Sequence, residues 1–401
     1  MYHNEYTKWV ACWGNATSIA DQKEAMYAKD ITLRYPVRMV FDGSALRFHF
    51  SNITGTEPVT LSKVYVEKTP ITFGGNTWVE IQPGKEVTSD EIAYEVKAGT
   101  DVNISIYLGE ITQMNSGVLI TGPLSKGYYS YGDYALSDKL PDDFTRNTNW
   151  FYFLNTIDVL TKEENHAFIC YGDSITAQSW PDYLAIRLWN ENIRNVSVIR
   201  RAVSGTRILR QYDCITYAAY GLKGATRFPI EMEVAGADAV IIQHGINDII
   251  HPVGVEVNKF RPWSDMPTAA DLIEGVEEIY IKYAREKGYK VYGGTLLPIY
   301  GWRTYEKLRE DVKNQFNEWI RTTDLFDACI DFDVAVRDEM HPEAFAEGND
   351  SGDHLRGRPR GVRHGDVLGR GSGVHAPDLF RLLRVQRHGN RHRAYVRLSL
   401  P

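Results

Sequence analysis

The stretch HAFICYGDSIT, His166 to Thr176, decides how the chain is read. Its apolar start has the length of one buried strand. Gly172-Asp173-Ser174 then breaks the run, and Trp180-Pro181 opens a helical pattern through Leu184, Leu188 and Trp189. A strand that turns directly into a helix exposes the serine at the turn, beside the N–H groups that a first helical turn leaves unpaired. Such groups stabilise a developing anion, so the place suits a nucleophile. Taken alone, the turn reads equally well as a helix cap.

The same rhythm recurs downstream. NVSVIRRA (195–202), ADAVIIQHG (237–245), YKVYGGTLLP (289–298) and DACIDFD (327–333) read as buried strands that end in polar or glycine-containing loops. Between them, Leu272, Val276, Ile279, Tyr280 and Tyr283 share one helical face that stops at Gly288, and Leu308, Val312, Phe316 and Ile320 recur in steps of four. Strands alternating with helices predict a doubly wound parallel sheet with its functional loops at the carboxyl ends of the strands. Upstream the period is two, in LRFHFSN (46–52), VTLSKVYVEK (59–68) and VNISIYLG (102–109), with turn residues at Asp42-Gly43 and Gly74-Gly75. That pattern predicts a β-sandwich or jelly-roll domain over 1–145, followed by an α/β domain over 146–355.

Size and charge narrow the function. At 401 residues, 43% hydrophobic and 24% charged, the chain can bury a large core in two or more domains. Its net charge of −7 gives no reason to expect a nucleic acid or an anionic membrane as partner. Cys12, Cys170, Cys214 and Cys329 have no C-x-x-C spacing, so buried thiols are expected, with neither disulfide framework nor metal site. The start MYHNEYTKWVACWGN shows no signal-peptide pattern and no run of 18 apolar residues occurs, so a soluble chain is expected, cytoplasmic or secreted after processing.

The segment 356–401 departs from the rest. It holds 11 Arg, no Lys and two Asp, whereas residues 1–355 carry 34 basic and 50 acidic side chains. With seven Gly and no clear period, no packed element is expected there. An abrupt start inside a motif, with Arg but no Lys, resembles translation in a shifted reading frame more than a nucleic-acid-binding arm.

Two more strand ends carry candidate chemistry. Val203-Ser204-Gly205-Thr206-Arg207 places a glycine where its N–H can approach a substrate oxygen, and His244-Gly245-Ile246-Asn247-Asp248 supplies an amide. The Ser174 N–H, the Gly205 N–H and the Asn247 side chain would make three donors for a tetrahedral oxyanion. Gly205 also suits a tight turn, and Asn247-Asp248 an Asx-turn. His244 reads as hydrogen-bonded structure more readily than as pocket lining, and no phosphate-binding loop or repeat is found.

Gly172-Asp173-Ser174, Gly205 and Gly245-Ile246-Asn247-Asp248 resemble the first three blocks of the GDSL esterase and lipase family, also called SGNH hydrolases. The similarity continues through Gly293 to Pro298, Asn317 to Arg321 and Ile330 to Asp333, as far as Asp350 to Leu355. Trp9 to Gly14, Leu46 to Asn52 and Gly55 to Thr60 are similar to the β-rich domain that precedes the hydrolase in one bacterial branch. The resemblance implies a three-layer α/β/α, flavodoxin-like hydrolase. It implies hydrolysis of short acyl esters, commonly acetyl and often on carbohydrate, through an acyl-enzyme, with no cofactor or metal. The substrate would be a small-molecule or saccharide ester; the oligomeric state is not encoded.

The fourth block differs. The family has Asp-x-x-His-Pro, with histidine as base and aspartate as its orienter. Here the resemblance assigns Asp353 as orienter, but Arg356 stands where the histidine would fall, and a guanidinium cannot accept a proton near neutral pH. The candidate bases are His354, then His341 in the literal Asp338-Glu339-Met340-His341-Pro342, then tail residues such as His364 and His375. The alternative is a catalytically impaired relative that binds acylated saccharide.

Overall fold

The structure, a computed structural model, describes residues 5–19, 26–138, 147–346, 384–385 and 395–397. Two compact units form: Met1–Gly205 with Tyr212–Leu222 and Ile230–Asp238, and Thr206–Gln211 with Lys223–Pro229 and Ala239–Pro401.

In the first unit the alternating segments become antiparallel sheets. Strand Gly43–Ser51 turns Leu46, Phe48 and Phe50 to the core and pairs with Leu154–Thr161, Ile92–Val96 and Glu86–Thr88. Leu154–Thr161 also pairs with Lys8–Gly14, so the antiparallel sheets run on to Thr161. In a second sheet, Ile31–Arg38 and Asp101–Leu108 match residue for residue, burying Leu33, Tyr35 and Val37 with Ile104, Ile106 and Leu108. Apolar side chains every second residue face one side of a pleated strand, which fixes this register.

The same unit holds the first parallel pair. His166–Gly172 and Val196–Ala202 run parallel in full register and are joined through helix Trp180–Asn190, which starts with Pro181 in its first turn. Two consecutive arginines on the second of these strands are both buried. The Arg201 guanidinium donates to the Glu231 carbonyl at 3.2 Å and to Thr156 Oγ1 at 2.7 Å, and also caps the Asn15 carbonyl. Arg200 pairs with Asp182 of the helix at 2.6 Å and donates to Ser125 Oγ at 3.0 Å. Burial raises the Asp182 carboxyl above its ordinary value, against the opposing pull of Arg200 and of the Leu124 N–H.

The second unit continues the α/β pattern. Strands Ala237–Gln243, Lys290–Gly294 and Ala328–Ile330 are parallel, and Lys307–Thr322 is the helix between the last two. Val312, Phe316 and Ile320 are buried as the four-residue spacing requires, whereas Leu308, in the first turn, is exposed. The helix expected over Leu272 to Tyr283 forms as Ala269–Gly275 and Lys282–Glu286, but Val276–Ile281 between them is wound as a π-helix. Within the tail, where no packed element was expected, Tyr395–Arg397 pairs parallel with Cys329 and Ile330. Among the described residues all four cysteines are free thiols, and no helix is long and apolar enough to cross a membrane.

A buried charge left without its partner is costly. Arg200→Leu should therefore lower stability by about 3–5 kcal/mol, and the double change Arg200→Leu with Asp182→Asn should recover much of that loss. Urea unfolding measures both; equal losses for the single and double variants would contradict the pairing.

Candidate active site

Ser174 leaves the His166–Gly172 strand as the first residue of a helical turn, Ser174–Ala177. Asp173 precedes it as the cap, its carboxylate accepting the Ile175 N–H at 3.0 Å. Asp173 and Thr176 are buried, while Ser174 is half-buried and its hydroxyl has no hydrogen-bond partner among the described residues. A hydroxyl reachable from solvent, on a turn fixed by its neighbours, is the arrangement a nucleophile requires.

Gly205 sits at the end of the adjacent strand. Gly172 and Ala202 are register partners and the Val203 N–H donates to the Gly172 carbonyl at 3.2 Å, so the two turns depart from the same end of the parallel pair. Gly205 has φ +81°, and a Cβ there would lie 2.2 Å from the Tyr220 ring. No side chain fits, whatever its chemistry. Tyr220 stacks on Tyr217 with ring centroids 5.4 Å apart, and Tyr212 lies 4.6 Å from Tyr217.

Asn247 belongs to the second unit. It lies in the short helix Ile246–Ile250, which Gly245 opens at φ +124°. Its Nδ2 donates to the Thr206 carbonyl at 3.0 Å, which fixes the amide and leaves a second N–H on the same nitrogen. The Asx-turn weighed for Asn247-Asp248 does not form. Asp248 instead accepts the N–H groups of Ile208 at 2.8 Å and Leu209 at 3.0 Å, pinning the segment that follows Gly205. Burial pushes its carboxyl up to about 6 despite those two donors.

His244 takes the structural role foreseen for it. Its Nε2 donates to the Thr206 carbonyl at 3.1 Å and its Nδ1 accepts from the Tyr280 hydroxyl at 2.7 Å. Burial, helped by the nearby Arg227 cation, lowers its pKa to about 3, so the ring is neutral. His341 lies in a solvent-exposed turn. Its side chain is 75% exposed with Glu343 3.7 Å away, and the Asp338 carboxylate is spent on the backbone N–H groups of Met340 and His341. The literal Asp-x-x-His-Pro is thus a capped turn. Asp353, His354, Arg356, His364 and His375 lie outside the described residues.

Sequence reasoning missed the supports of this region. Asn317 clamps the loop after Lys290–Gly294 by accepting the Leu296 N–H at 2.7 Å and donating to its carbonyl at 2.8 Å. Arg309, 1% exposed, donates to the Ile249 and Pro252 carbonyls beyond Asn247. Polar residues on an otherwise apolar helix face were the available signal. Among the described residues, no group of three or more His, Cys, Asp or Glu could hold a metal ion.

These buried groups set a pH dependence. His244 and His251, both buried, resist protonation in the folded chain, whereas the unfolded chain protonates them below about pH 6.5. Each therefore removes about 1.4 kcal/mol of stability per pH unit as pH falls below that value. Asp248, raised to about 6, works in the opposite sense between its folded value and about 4. Unfolding free energy should thus fall from pH 6.5 to 5, and His244→Gln should flatten the slope by about 1.4 kcal/mol per pH unit. Chemical denaturation at several pH values checks it; an unaltered slope would exclude a buried neutral imidazole.

Residues 170–362 match the family described as GDSL-like lipase/acylhydrolase. No curated protein matches the chain. Solved structures with some likeness include one titled as a lipolytic protein of the G-D-S-L family, from Desulfitobacterium hafniense. It is 14% identical, with 46% of this chain and 86% of that one covered and a TM-score of 0.31. A GDSL-like lipase from Bacteroides thetaiotaomicron is 16% identical, with 48% and 80% covered and a TM-score of 0.31. An acetylxylan esterase from Geobacillus stearothermophilus is 16% identical, with 39% and 70% covered and a TM-score of 0.27. Likenesses of this size add nothing to the family match, which stands on the sequence. Residues 170–362, a little under half of the chain, thus match the GDSL-like lipase and acylhydrolase family, whose members are carboxylic ester hydrolases.

Proposed function

We propose that the protein is a serine esterase that hydrolyses short-chain acyl esters, acetyl foremost and carried on carbohydrate, through a covalent acyl-enzyme. The observation that carries this reading is the half-buried Ser174 hydroxyl, without a hydrogen-bond partner among the described residues, on a turn capped by the Asp173 carboxylate. In this reading Ser174 Oγ attacks the ester carbonyl carbon, the oxygen becomes an oxyanion, and the Ser174 and Gly205 N–H groups with Asn247 Nδ2 donate to it. Collapse expels the alcohol and leaves the acyl group on Ser174; water then attacks and frees the acid. Asp353 with His354 would take the serine proton and return it to the departing alcohol oxygen.

A second reading is favoured by Arg356, which occupies the family's histidine position, and by the capped turn that uses Asp338. It is an SGNH-fold protein that retains the oxyanion donors, binds acylated saccharide and turns it over slowly.

Ser174→Ala should abolish hydrolysis of 4-nitrophenyl acetate, and a fluorophosphonate should label the native chain at Ser174 alone. Turnover that survives the substitution would remove the esterase assignment. Rapid labelling supports an intact base, and labelling no faster than a free serine supports the impaired relative.

A further inference from the structure

We propose that His244 and Tyr280 are positioning residues for the oxyanion donors and act through the carbonyl of Thr206. This rests on the assignment of Gly205 and Asn247 as those donors.

The Thr206 carbonyl, one residue after Gly205, is the shared acceptor of two side chains, Asn247 Nδ2 at 3.0 Å and His244 Nε2 at 3.1 Å. Thr206 is 1% exposed, so water does not substitute for either donor. His244 can donate through Nε2 only if its proton resides there and Nδ1 is an acceptor. The Tyr280 hydroxyl, 2.7 Å from Nδ1, donates to that nitrogen and so selects the tautomer. The opposite tautomer would turn the Nε2 lone pair toward the carbonyl oxygen, and the repulsion would push the Thr206 peptide away. With the carbonyl fixed, Asn247 spends one N–H on it, its amide plane is set, and its second N–H has a single direction.

The surroundings of Tyr280 are built to hold that hydroxyl in place. Tyr280 is fully buried and lies in the π-helical stretch Val276–Ile281, a winding that shifts its side chain relative to a regular helix. Phe228 packs on its ring at 4.6 Å between centroids. A Cβ on Gly224 would stand 1.9 Å from the Tyr280 oxygen, so glycine is required there to admit the hydroxyl. Phenylalanine would satisfy the apolar contacts at this position, whereas the hydrogen bond to His244 asks for tyrosine.

Tyr280→Phe and His244→Ala should lower kcat for 4-nitrophenyl acetate, and the rate at which a fluorophosphonate labels Ser174, by about 10- to 100-fold, less than loss of an oxyanion donor outright. KM should stay within about twofold, because the donors act on the transition state. His244→Gln should restore most of the rate, since its amide offers both the N–H for Thr206 and an acceptor for Tyr280. Nitrogen-15 spectra should show a single neutral Nε2–H tautomer of His244 from pH 5 to 8 in the native chain, and a mixture in Tyr280→Phe. Unchanged kcat and labelling in Tyr280→Phe, or losses in all three variants that follow their melting temperatures with no rescue by Gln, would overturn the positioning role. A native chain that takes no label and whose esterase activity ignores Ser174→Ala overturns the esterase reading instead.

Discussion

The backbone that follows Gly205 is held by side chains rather than by a sheet, and everything proposed for the site depends on that restraint. Thr206 gives its carbonyl to His244 and Asn247; Ile208 and Leu209 give their N–H groups to Asp248; Arg207 pairs with Asp265 at 3.1 Å. A buried loop has no strand partner to satisfy its peptide groups, and each unpaired group would cost about 1–3 kcal/mol. Supplying the partners from the Gly245–Asp248 turn makes one short motif responsible for both a proposed donor and the shape of the loop. The Gly-x-Asn-Asp pattern thus has a structural reason for its fourth residue and, in the proposed function, a chemical one for its third.

Glycine serves two different needs here. At Gly205 a positive φ and the Tyr220 ring both forbid a side chain. At Gly224 the backbone is helical, and the constraint is room for the Tyr280 oxygen. In the proposed function, loss of either would act by a separate route, the first on a proposed donor and the second on what would orient one.

Much of this was legible from residue order. Strand ends and helix starts follow from apolar runs broken at Gly172-Asp173, Val203 to Gly205 and His244-Gly245, because those runs are short and their breakers strong. The antiparallel period around Leu46, Phe48 and Phe50 was equally plain, yet the pairing of that strand with Leu154–Thr161 joins residues about a hundred positions apart, and no local pattern encodes it. Arg200 and Arg201 contradict the expectation of an apolar parallel strand; their ion pair and carbonyl partners lie on distant segments. The π-helical turn at Val276–Ile281 was invisible, since its apolar spacing satisfies a regular helix too. At the candidate site, Ser174, Gly205 and Asn247 could be proposed from their turns, while Asp248, His244 and Tyr280 gain meaning through partners far along the chain.

The central claim is that an oxyanion formed on Ser174 is received by donors from Gly205 and Asn247. A crystal structure of the protein phosphonylated by a fluorophosphonate tests it most directly. The phosphorus is expected on Ser174 Oγ, with its non-ester oxygen about 2.7–3.1 Å from the Gly205 nitrogen and from Asn247 Nδ2. Phosphorus on another residue, or an oxygen turned to solvent away from both nitrogens, would contradict it.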